Sequence, residues 1–201
     1  MNIGGLQKLS LIEYPEKTAA IIFTQGCNMF CPYCHNPQLV YKDMFEQVLN
    51  VAEIFSFLEK RQRLLQAVVI TGGEPTVQKD LKDFIRKIKS YRYAVKLDTN
   101  GTNPQILEEL IKENLINFIA MDIKSPLEKY NLFYKGDIKK IENSIFIIKN
   151  SKVPHLFRTT FDEELLCKLD LQIIEELVFP SRHIVQPHIK RDKKTLSSFN
   201  V

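Results

Sequence analysis

Apolar residues recur along the chain in short, β-branched runs separated by stretches with helical spacing. The run 18–23 (TAAIIF) reads as a strand, as do 66–70 (QAVVI), 93–99 (YAVKLDT), 117–124 (NFIAMDIK), 154–161 (PHLFRTTF) and 182–188 (RHIVQPH). Between the first two, 44–65 places Val48, Val51, Ala52, Phe55 and Leu58 on one helical face. Leu81, Phe84, Ile85 and Ile88 do the same for 80–90. The helix expected over 103–114 opens at Pro104, where a missing N–H costs little. Ile141, Ile145 and Ile148 predict a helix over 138–150, against its β-branched content. The last, over 162–178, opens with acids that suit the helix dipole. Repeated strand–helix units predict a parallel α/β fold. Six strands are too few for an eight-unit barrel, which leaves an open partial barrel or an open sheet. In both, ligands gather at the C-terminal ends of the strands. No Gly-rich or Ser-rich linker and no repeat divides the chain, so a single domain over 1–201 is expected, with a leader at 1–17 and a short basic tail at 190–201.

Composition narrows the picture. Hydrophobic residues at 44% are enough for a real core. The net charge of +4 is small, and much of it lies in the tail run Lys190–Lys194, so charge gives little reason to expect nucleic acid as a partner. No run of 18 apolar residues suggests a membrane span, and the opening MNIGGLQKLSLIEYPEK lacks the order of a signal peptide. A cytoplasmic, reducing environment is therefore expected. Structural disulfides are disfavoured there, and clustered cysteines read as metal or redox ligands.

Unusual polar motifs fall at successive strand ends: the cysteines after the first strand, TGGEP (71–75) after the second, DTNG (98–101) after the third and DIK (122–124) after the fourth. Cys27, Cys31 and Cys34 form C-x3-C-x2-C. Three readings stand side by side: inert buried thiols, a zinc knuckle, or a four-iron cluster held by three thiolates with one iron open. His35 is a tempting fourth zinc ligand, but it follows Cys34 directly. Cys167 lies in a helical pattern and reads as a packed core residue. Gly72 and Gly73 would let backbone approach a ligand closely. Asp122 and Lys124, two apart on a strand, share a face.

C-x3-C-x2-C with an aromatic, Tyr33, before the last cysteine resembles the signature of the radical S-adenosylmethionine superfamily. IGGLQKLSLIEYP and FTQGCNMFCPYCHNPQLV extend the resemblance to its glycyl-radical-enzyme activases, and most closely to the small activating proteins of anaerobic ribonucleoside-triphosphate reductase. Glu13 and Glu16 depart from that group, which carries Asp and often Gly there.

The resemblance implies a partial TIM-like (β/α)6 barrel of the radical SAM type. It implies a [4Fe–4S] cluster on Cys27, Cys31 and Cys34, with S-adenosylmethionine on the open iron. Reductive cleavage would then let the adenosyl fragment take a hydrogen atom from a glycine of a partner enzyme. Gly72, Gly73 and Glu74 would receive the methionyl amine. Thr99 and Asn100 would lie near the ribose, and Lys124 and Arg158 near the carboxylate. Tyr33 would pack by the cluster, with His188 and Gln186 approaching from the last strand. Asp98, Thr99 and Asp122 would suit a monovalent cation. His35 becomes a neighbour of the cluster rather than a ligand. A low-potential flavodoxin or ferredoxin would supply the electron. A pyruvate formate-lyase-like partner, a small-molecule or peptide substrate, and a metal-containing binding module without catalysis are the alternatives.

Overall fold

A computed structural model of the chain describes residues 1–189; the basic tail expected at 190–201 lies outside the described residues. Seven strands form one sheet in the order β1-β2-β3-β4-β5-β6-β7. They are β1 Ile3–Tyr14, β2 Lys17–Thr24, β3 Ala67–Gly72, β4 Ala94–Thr99, β5 Phe118–Asp122, β6 His155–Phe161 and β7 His183–Pro187. β2 to β7 are parallel to one another, and β1 pairs antiparallel to β2. The helices are α1 Val51–Arg61, α2 Leu81–Ser90, α3 Pro104–Lys112, α4 Lys139–Asn150 and α5 Lys168–Val178. The six expected strands are present, and the sheet with its helices forms the partial (β/α) barrel.

Alternation along each strand explains why one sheet carries two cores. Ala20 and Ile22 of β2, Val68 and Ile70 of β3 and Val95 and Leu97 of β4 join a large cluster with residues from all five helices. Ala19, Ile21, Ala67 and Val69, the alternate positions, join Tyr14 in a small inner cluster. All the helices therefore cover one face. The other face is the barrel interior, apolar at the N-terminal ends of the strands and polar toward their C-terminal ends.

The N-terminal stretch expected as a leader is the longest strand. Its pattern is inverted for an ordinary edge strand. Ser10 is buried, while Leu9, Leu11 and Ile12 are exposed, and the register shifts between Gln7 and Ser10 and again before Tyr14. The Ser10 hydroxyl accepts the N–H groups of Ile12 and Glu13, which bends the strand there.

Two helices are shorter than expected. α1 starts at Val51 rather than residue 44, because the Asn50 side chain accepts the Ala52 N–H at 2.9 Å and caps it. Val48, expected on its buried face, is exposed. α5 starts at Lys168 rather than 162, since Asp162 accepts the Glu164 N–H and makes a separate turn. Cys167 is the N-cap of α5 and is exposed, not packed in the core. Among the described residues no helix is long and apolar enough to cross a membrane.

Candidate functional site

The C-terminal ends of β2 to β7 open onto a cavity of about 410 Å³. Cys27, Cys31 and Cys34 line it from the loop after β2, Gly72, Gly73 and Glu74 from the end of β3, and Asp98, Thr99 and Asn100 from β4. Asp122 and Lys124 come from β5 and the residues after it, Arg158 from β6 and Gln186 from β7. Nearly every site residue expected from sequence thus meets one space. Thr71, Thr160, Glu13 and Gln7 also line it, although none of them was expected at the site.

The cysteine loop is pinned at several points. Met29 is a fully buried anchor in the outer core. The Phe30 N–H donates to the Phe133 carbonyl at 2.9 Å, and the Gly26 N–H donates to that of Leu39 at 2.7 Å. The Met29 N–H also donates to Cys27 Sγ at 3.4 Å. All three thiols are half-buried. Burial pushes the Cys27 thiol up to about 12, and it raises that of Cys31 against the pull of the Lys124 ammonium. Holding these groups as thiolates therefore calls for more positive charge than the chain supplies, which is what a bound metal centre provides. Among the described residues no three His, Cys, Asp or Glu side chains converge on one metal ion.

Tyr33, within this loop, is buried and tilted against Phe133 at 5.7 Å and His188 at 5.6 Å between ring centroids. Its hydroxyl and Asp98 Oδ1 are buried without a hydrogen-bond partner. Both residues line the cavity, and a buried Tyr33 hydroxyl left without a hydrogen bond there suits a site built for a polar ligand. His188 is not among the cavity-lining residues. Its Nδ1 sits 2.7 Å from Asp162 and its ring lies against Tyr33 and, edge-on, His35. It thus packs on the outside of the cysteine loop, and Gln186, two residues earlier, faces the cavity instead.

The glycines and Glu74 serve the protein's own framework first. Gly72 has φ +115°, and a Cβ there would stand 2.4 Å from Thr24 N and O. One on Gly73 would stand 2.1 Å from the Gly26 carbonyl oxygen. The Gly73 N–H donates to Thr24 and the Glu74 N–H to Gly26, which zips the end of β3 to the start of the cysteine loop. Gly73→Ala is expected to cost about 2 kcal/mol or more of stability, read from chemical unfolding, because backbone rather than a flexible side chain must move.

Glu74 is fully buried. Its carboxylate accepts the Thr76 N–H and hydroxyl, the Thr99 hydroxyl at 2.8 Å and the Asn100 N–H at 2.6 Å. Burial raises its pKa and these donors oppose the rise. Thr99 and Asn100 therefore face Glu74 before any ligand, and the Glu74 side chain is engaged inside the protein. Asn100 also reaches toward Cys27 Sγ at 3.9 Å and bonds Asn28 at 3.0 Å, tying the β4 tip to the cysteine loop.

The opposite wall is charged. Arg158 Nε donates to Asp122 Oδ1 at 2.9 Å, and Lys124 Nζ donates to Asp122 Oδ2 at 3.0 Å. β5 and β6 pair Asp122 directly with Arg158, so the parallel register itself creates the contact. Burial opposes the charge of Asp122, but the Arg158 and Lys124 cations overcome it and hold the carboxyl at about 2. Burial likewise works against the Lys124 ammonium, yet Asp122, with Cys31 and Tyr33, keeps it well above the usual lysine range. Arg158 Nη2 reaches Asp98 at 3.3 Å. Asp98 and Asp122 are thus joined through Arg158, and the Thr99 hydroxyl donates to Glu74.

An open (β/α) partial barrel, with thiols and charged groups around one cavity at its strand C-terminal ends, defines an α/β enzyme scaffold built around a ligand. Residues 21–165 match the model of the Radical SAM superfamily, and the chain belongs to that superfamily. Its class is that of oxidoreductases that cleave S-adenosylmethionine. A Methanocaldococcus jannaschii protein with the provisional name glycyl-radical enzyme activating enzyme is 40% identical over 183 residues, 88% of this chain and 75% of that protein. A GTP 3′,8-cyclase of Campylobacter lari is 31% identical over 132 residues, but the chain spans only 40% of its length. Among solved structures, Streptococcus suis SuiB bound to S-adenosylmethionine superimposes with a TM-score of 0.69 at 13% identity. It covers 86% of this chain and 41% of its own. At that identity the likeness speaks for the fold alone.

Proposed function

We propose that the chain is an activating enzyme that cleaves S-adenosylmethionine reductively and takes a hydrogen atom from a glycine of a partner glycyl radical enzyme, most closely an anaerobic ribonucleoside-triphosphate reductase. The observation that carries this reading is the meeting of three thiols with the β3 glycine turn and the Asp122–Lys124–Arg158 group around one cavity. The 40% identity to a protein named for glycyl-radical enzyme activation supports the choice of reaction.

Cys27, Cys31 and Cys34 would hold a [4Fe–4S] cluster. Their number and softness fit that group, as does the need of Cys27 and Cys31 for compensating charge. When bound, the cluster supplies the electron that breaks the sulfonium C–S bond. It would receive that electron from a low-potential flavodoxin or ferredoxin.

The chain's own residues do the positioning. The backbone at Gly72 and Gly73 would receive the methionyl ammonium, since the Glu74 side chain is already occupied. Lys124 and Arg158 would draw the methionyl carboxylate to the charged wall. Tyr33 and Met29 form an apolar, water-excluding side beside the thiols. Holding the reacting atoms in one geometry is the main demand that hydrogen abstraction makes on a protein.

Mixing the anaerobically reduced enzyme with S-adenosylmethionine and a candidate reductase is expected to yield 5′-deoxyadenosine and a glycyl radical doublet in the electron paramagnetic resonance spectrum. 5′-Deoxyadenosine without that doublet would rule out the reductase as partner. A reduced spectrum indifferent to S-adenosylmethionine would overturn the cofactor assignment.

A further inference from the structure

The charged wall continues beyond the residues that sequence motifs mark. Lys96, buried inside the barrel on β4, directs its Nζ to the Glu13 carbonyl of β1 at 2.6 Å and lies 3.3 Å from Asp98 Oδ1. Its Nζ is also 3.9 Å from the Glu13 carboxylate. With the contacts already described, six groups alternate in sign along one line: Glu13, Lys96, Asp98, Arg158, Asp122 and Lys124. Every carboxylate in that line has a protein cation on each side or, for Glu13, at its inner end.

We propose that Lys96 is a built-in counter-cation behind the cavity wall, next to Asp98. Its ammonium occupies the position beside Asp98 and the Glu13 carbonyl where a chain with an apolar residue would need a free monovalent cation. Three observations carry this. Asp98 Oδ1 is buried, lacks a hydrogen-bond partner, and has Lys96 as its near cation. The Glu13 carbonyl and Asp98 Oδ1 present two hard oxygens to one point, which Lys96 Nζ fills. Finally, Arg158 is divided between Asp98 and Asp122 and cannot turn wholly to either. Lys96 is thus a positioning residue: it neutralises Asp98, leaves Arg158 and Lys124 aimed at the cavity, and fastens β1 to the barrel.

The role does not depend on what the cavity binds, so it can fail or stand separately from the proposed function. The test compares the melting temperature of the anaerobically isolated full chain in potassium, sodium and choline chloride, each at about 100 mM so that screening is equal. The wild-type protein is expected to melt at the same temperature in all three. Lys96→Met is expected to melt lower in choline and to recover by about 3 °C or more in potassium or sodium, the shift a well-occupied ion site gives a chain of this size. Lys96→Arg, which keeps the charge, is expected to be as indifferent to the cation as wild type. A packing role alone would lower the melting temperature equally in all three salts. A wild-type preference for potassium or sodium, or a Lys96→Met protein without cation-selective recovery, would overturn the proposal. Should Lys96→Met fail to fold in choline, its folding in potassium supports the proposal and its failure in every salt, shared by Lys96→Gln, refutes it.

Discussion

Cys27→Ala, Cys31→Ala and Cys34→Ala are each expected to abolish 5′-deoxyadenosine formation, while Cys167→Ala keeps it. The reason is positional. The first three thiols line one cavity from one pinned loop, whereas Cys167 is exposed at the N-cap of α5. Each of the three alanine proteins should also lose bound iron, because two thiolates cannot hold a cluster that three are placed to hold. Stability should fall less than activity. The buried Met29 side chain and the backbone bonds from Gly26 and Phe30, which fasten most of the loop, use no thiol; the contacts to Cys27 Sγ from Met29 N–H and Asn100 are the exception. Iron content, product yield and the far-ultraviolet circular dichroism spectrum of the four variants separate the effects. Equal loss at all four positions would refute the assignment.

Replacing Glu74 should produce the largest loss of stability at the site. Glu74→Ala strips acceptors from the Thr76 N–H and hydroxyl, the Thr99 hydroxyl and the Asn100 N–H, all inside the protein. Leaving buried donors unmade costs about 1–3 kcal/mol each, and local relaxation absorbs part of that, so a total of about 4 kcal/mol is expected. Glu74→Gln keeps the shape and one carbonyl acceptor, but its amide places a donor where the carboxylate accepted. It should lie between wild type and Glu74→Ala in a urea unfolding series. If Glu74 served the methionyl amine and little else, both variants would keep wild-type stability and lose only cofactor affinity. The four internal donors argue for the opposite outcome. Because Asn100 also contacts the cysteine loop, cofactor affinity should fall as a consequence of the weakened framework.

Much of this site is readable from residue order. Parallel strands with single helical crossovers bring their C-terminal ends together whatever the details of packing, so motifs that end successive strands must meet. That is why the cysteines, TGGEP, DTNG and DIK share one cavity. Lys96 could have been found in the same way as Asp122 and Lys124. It stands two residues before Asp98 on a strand, so the two share a face, and a lysine in an apolar strand asks for a partner. The strand β1 was less legible. A buried Ser10 flanked by exposed Leu9, Leu11 and Ile12 inverts the expected alternation, and its bulges break the period. The early starts expected for α1 and α5 came from apolar and acidic residues that extend past the caps. Asn50 with Glu53 three residues on, and Cys167 with Asp170, mark the true beginnings.

By itself the sequence determined the parallel α/β order, the three-thiol loop and the identity of most groups around the cavity, because strand period and strand direction fix which residues end on the same rim. Only the tertiary structure decided what those groups face. Gly72 and Gly73 meet the backbone of Thr24 and Gly26, Glu74 is held by four internal donors, and His188 turns to Asp162 outside the cavity. The alternating line from Glu13 to Lys124 likewise needs β1, β4, β5 and β6 side by side. Hydrogen bonds and ion pairs depend on distances of a few ångströms between segments far apart in the chain, and no local pattern records those distances.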